Sequence, residues 1–138
     1  MTHVKFNPSG SPLKIEITYL GNMTASYVYT LWENNSNAKA DEKSGNNLND
    51  IDDKYELPTP VKLNEGRIIE LFTTLKNADS AVGKEIVAVK IFQGNNLLFT
   101  QENPGGSKAG NKKFTVTEEE TVPAGKTILN DLFINLIV

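Results

Sequence analysis

Apolar side chains recur at every second position in most of the apolar runs of this chain, and each run is cut short by Gly, Pro, Asn or Asp. Leu13-Lys14-Ile15-Glu16-Ile17-Thr18-Tyr19 is the clearest case, with apolar residues at odd positions and polar ones at even positions. That period belongs to a strand with one dry and one wet face. The chain is therefore expected to be all-β: an antiparallel β-sandwich of about seven strands, Ig-like or jelly-roll-like in type. The expected strands are Leu13–Tyr19, Ala25–Glu33, Arg67–Thr74, Glu85–Gln93, Asn96–Gln101, Lys112–Glu118 and Lys126–Val138. Gly94-Asn95 supplies a two-residue hairpin turn between two of them.

Its 138 residues make a single domain, 1–138, able to bury a core without disulfides or metal. Residues 1–12 are rich in breakers (Pro8, Gly10, Pro12) and read as an irregular lead-in or a sheet edge. Residues 34–56 read as one long polar insertion loop, dense in Asn, Asp, Lys and Glu. The final strand, Asp131 to Val138, is apolar on both faces. It is expected either to lie mid-sheet with both faces covered or to have its second face buried by another chain, since an uncovered strand of this kind aggregates.

Composition excludes several functions. The chain has no cysteine, which removes disulfide scaffolds, thiolate catalysis and thiolate zinc sites. A net charge of -3, with no basic cluster beyond Lys112-Lys113, argues against nucleic acid as a partner. No run approaches the length of a membrane helix, so no membrane insertion is expected. Residues 1–12 hold no apolar signal core, and the chain as given is expected in the cytoplasm, although a trimmed secreted form would look the same.

Catalytic constellations are thin. The single histidine, His3, lies near the chain start, and a loose chain end does not hold an imidazole against the third group that a triad requires. The segment Gly105-Gly106-Ser107-Lys108-Ala109-Gly110-Asn111-Lys112 misses the phosphate-loop pattern, because Asn111 separates Gly from Lys and a strand follows in place of a helix. Glycoside hydrolysis needs two carboxyls held across a cleft with their pKa values driven apart, and a solvated acidic loop does not provide that.

Binding chemistry is better supplied. Asn47, Asn49, Asp50, Asp52 and Asp53 offer clustered oxygen ligands of the kind calcium takes, although their spacing is not that of an EF-hand. Trp32 and Tyr55 are candidate ligand-stacking rings at the two ends of the long loop, with Tyr27 and Tyr29 nearby. Trp32 is read first as core, and Tyr55, between Lys54 and Glu56, as the exposed one. The expected function is a non-catalytic β-sandwich in assembly or protein–protein interaction, self-associating through its C-terminal strand and needing no cofactor. The alternative is a carbohydrate-binding module, calcium-assisted, built on residues 34–56.

Overall fold

The computed structural model describes residues 2–21, 24–48, 53–77, 85–99, 114–115 and 125–138. Its strands are β1 (Thr2–Lys5), β2 (Leu13–Gly21), β3 (Thr24–Trp32), β4 (Lys39–Asn46), β5 (Asp53–Glu56), β6 (Ile68–Lys76), β7 (Glu85–Gln93), β8 (Asn96–Phe99), β9 (Phe114–Thr115) and β10 (Thr127–Ile137). A single 3-10 turn, Val61–Asn64, precedes β6, and the described residues contain no α-helix. No helix among them is long and apolar enough to cross a membrane.

The strands form two sheets. One is a continuous five-stranded sheet, β1-β10-β6-β3-β4, and the other is a path of four strands, β5-β2-β7-β8, with the two-residue β9 off the path and paired with β7. The alternation seen in the sequence is what brings the layers together. Leu13, Ile15 and Ile17 of β2 are buried, as are Ala25, Tyr27, Tyr29 and Leu31 of β3 and Ile69, Leu71 and Leu75 of β6. Residues of both sheets join one apolar cluster, giving a sandwich-like, two-layer arrangement. Each fully buried aliphatic side chain there contributes about 1.5–3 kcal/mol.

The seven segments expected as strands all hold strands, β2, β3 and β6 to β10, although of Lys112–Glu118 only Phe114–Thr115 lies within the described residues. Three further strands correct the expectation. Residues 1–12 are not wholly irregular: β1 lies there and pairs in parallel with Ile134–Ile137 of β10, so the fold is not purely antiparallel. Residues 34–56 are not one loop, because β4 and β5 occupy much of them. β4 pairs with β3 and β5 pairs with β2, each as an edge strand of its sheet.

Two clasps hold the irregular parts. Gln93, 7% exposed, donates through Nε2 to the carbonyls of Asn7 (2.7 Å) and Ser11 (2.9 Å) and accepts the Asn7 N–H at 3.0 Å. This ties residues 6–12 to the end of β7, next to the turn at Gly94, whose φ of 58° suits glycine. The second clasp is Arg67, whose guanidinium forks onto Glu33 at 3.2 and 2.9 Å and reaches Asn64 Oδ1 at 3.1 Å. Asn64, itself buried, donates to the carbonyls of Pro58 and Val61.

Candidate functional site

The two rings expected to form one binding surface lie on opposite sides of the five-stranded sheet. Tyr55 pairs with Ile15 in register and faces the interior. Its ring stacks on Tyr29 at 6.0 Å and meets Tyr27 edge-on at 6.4 Å. The expectation of an exposed Tyr55 is thus corrected: flanking Lys54 and Glu56 take the wet face, and alternation turns the ring between them inward. Its hydroxyl bonds that of Tyr27, which in turn donates to Asp53 Oδ1 at 2.9 Å. Trp32 is not core between the sheets. It stands half-buried on the outer face of β3, its indole N–H donating to Glu70 Oε1 at 2.9 Å and Lys39 Nζ lying 5.7 Å from its ring centre.

Of the candidate calcium ligands, Asn49, Asp50 and Asp52 lie outside the described residues. The other two have structural partners. Asn47 Oδ1 accepts the Ala25 N–H at 3.0 Å, and Asp53 accepts the Tyr27 hydroxyl. These bonds fix the ends of residues 47–53 to β3. Among the described residues, no group of three His, Cys, Asp or Glu side chains is placed to hold a metal ion.

What the fold does assemble is the outer face of the five-stranded sheet. Register places its side chains in rows across β10, β6, β3 and β4. Leu129, Thr74, Ser26 and Asn46 form one row; Asp131, Phe72, Val28 and Ser44 form the next; Phe133, Glu70, Thr30 and Glu42 the third. A fourth row holds Asn135, Ile68, Trp32 and Lys39. Leu129, Phe133 and Val28 are 60%, 40% and 38% exposed. The apolar half of the face therefore surrounds Phe72, and two acids, Glu70 and Asp131, sit within it.

Those acids are neighbours, one row apart on adjacent strands. Desolvation against the sheet, then a hydrogen bond to Glu70 and its like charge, push the Asp131 carboxyl up to about 6. Glu70 accepts from Trp32 on one side and meets Asp131 on the other. Chemically the arrangement offers apolar contact plus an acidic pair within hydrogen-bond reach of one another.

Sequence reasoning picked Trp32 from this surface, and the strand that holds Asp131 and Phe133, but missed Glu70, Phe72 and Leu129. A signal was present: Glu70 interrupts Ile68-Ile69 and Leu71-Phe72, and Asp131 interrupts Ile128-Leu129 and Leu132-Phe133. An acid at the wet position, with apolar residues at the neighbouring wet positions of the same strand, marks that face as more than solvent-facing. No protein-family model matches the chain, and comparison with curated proteins and with solved structures gives no match either.

Proposed function

We propose that this chain is a non-catalytic binding protein, acting in assembly or protein–protein interaction, with the outer face of the five-stranded sheet as its working surface. The observation that carries the reading is the exposure of Leu129, Phe133 and Val28 around Phe72, on three strands seated inside the sheet rather than at its edges. Single exposed apolar residues are ordinary, but a contiguous group across three strands is characteristic of a contact surface. The second face of β10 is then the one another chain covers. Carbohydrate stacking by Trp32 and Tyr55 together has no support in this geometry, since the rings do not share a surface.

For the fold type we favour Ig-like over jelly-roll-like. Ig variable domains set strands C′, C, F and G side by side, and β4, β3, β6 and β10 stand in that sequence here, with β7 to β9 inserted before the last strand.

Light scattering over a concentration series, together with uptake of an apolar-surface dye, tests the function. The parent protein is expected to bind the dye and to associate, with itself or with an added partner, while the double variant Leu129→Ser/Phe133→Ser does neither and keeps its fold by circular dichroism. A parent that stays monomeric and takes up no dye overturns the reading.

A further inference from the structure

Three features of the outer face bear on what would cover it. First, the outward residues of β10 alternate in character: Leu129, Asp131 and Phe133 occupy successive outward positions, about 7 Å apart, in the order apolar, acidic, apolar. Another extended segment presents its own same-side residues at that spacing. Second, register sets Glu70 and Asp131 one row apart on the neighbouring strands β6 and β10, on the same face, where their carboxyls can share a hydrogen bond. Two carboxyls so placed repel when both are ionised, and a cation between them removes that cost. Third, no base of the protein itself fills this role among the described residues. On the same face β6 adds Lys76 at the far row, paired in register with Thr127, and β1 adds His3 and Lys5 beside Asn135 and Ile137. β4 adds Glu42 and Lys39, which bond each other at 2.6 Å, and the described part of β3 adds no ionisable group.

The geometry points to a protein partner in extended conformation that brings one lysine or arginine flanked at alternate positions by apolar residues, the cation entering between Glu70 and Asp131 and its neighbours resting on Leu129, Phe133 and Phe72. This inference rests on the docking reading above and sharpens it. A second copy of the chain fits less well, because a two-fold axis through the centre of the face lays one acidic pair on another. Charge complementarity of this kind sets partner choice and register more than raw affinity.

Trp32 is the only tryptophan, and its indole N–H is bonded to Glu70, so its fluorescence reports on the acidic pair. The test titrates the full chain with three seven-residue peptides of alternating Thr and Leu that differ only at the central position: Arg, Gln or Glu. At neutral pH the Arg peptide is expected to perturb Trp32 emission and to bind about tenfold more tightly than the Gln peptide, with the Glu peptide weakest. In the Glu70→Gln/Asp131→Asn variant the Arg and Gln peptides should bind alike. Lowering the pH to about 5 should shrink the Arg preference, as Asp131 takes up its proton. If the Arg and Gln peptides bind the parent equally, the cation inference fails while the docking surface stands. If none binds, the inference also fails, and dye uptake and light scattering decide separately whether the face docks anything. If the Arg preference survives in the double variant, the cation sits elsewhere and the assignment to this pair is overturned.

Discussion

Tyr27 and Tyr29 stand two positions apart on β3 and face the same interior, yet their hydroxyls have opposite fortunes. That of Tyr27 bridges Tyr55 and Asp53. That of Tyr29 is buried without a hydrogen-bond partner. Tyr27→Phe would strand the Asp53 carboxylate and the Tyr55 hydroxyl, and is expected to destabilise the fold by about 1–2 kcal/mol. Tyr29→Phe keeps the ring stacked on Tyr55 while removing a desolvated polar group, so it is expected to be neutral or to stabilise by about 1 kcal/mol. Urea unfolding of the two variants measures both, and the reverse ranking would show that the hydroxyl network is misassigned. Gly45 belongs to the same network: a Cβ there would come within 2.7 Å of both Asp53 Oδ1 and the Tyr27 hydroxyl. Gly45→Ala should therefore cost stability in the parent and less in Tyr27→Phe, a coupling that a double-mutant cycle reads directly.

Among the elements, β1 does more than its four residues suggest. It pairs with only the last part of β10, Ile134–Ile137, and buries Val4 fully. Removing residues 1–5 would open the backbone of the most apolar strand in the molecule. The truncated protein is expected to keep its circular-dichroism signature and to aggregate with time, whereas changing exposed His3 and Lys5 to Ser should not cause aggregation. Scattering at constant concentration separates the two. The elements also show where the sequence was legible. β2, β3, β6 and β7 bury alternate residues against the other layer, and that demand writes the two-residue period into them. β4 and β5 are edge strands whose residues, Lys39, Asp41, Glu42 and Lys43 in β4 and Asp53, Lys54 and Glu56 in β5, keep the edges charged. Charge at an edge opposes pairing with a further chain, and it also removes the apolar beat by which a strand is recognised. β1 was hidden by brevity, with Val4 its only buried residue. The binding face was legible only in part, because Glu70 and Asp131 lie far apart in sequence and meet solely through the β10–β6 register.

At the scale of the whole molecule, proton binding at the two ends of the pH range should shape stability. Asp131 titrates near 6 in the folded state and at the ordinary 3.8 when free of its surroundings. Between those values the folded state holds the proton more tightly, so stability rises as pH falls through about 6 and stops rising near 3.8. The carboxylate is open to water, and screening limits the effect to about 1 kcal/mol. At the alkaline end the signs concern Tyr27, raised by burial and by its bonds to Tyr55 and Asp53, and Tyr29, raised by burial and by the charge of Asp41. Both keep their protons when folded, while unfolded tyrosines lose theirs at the ordinary 10.0, so stability falls as pH rises through that value. Urea midpoints of the parent and of Asp131→Asn across the acid range should converge at low pH and separate at neutral pH, with the variant the more stable. A difference that does not change with pH would mean that Glu70 and Asp131 do not interact in solution, and both the acid limb and the cation-seeking character of the outer face would fall with it.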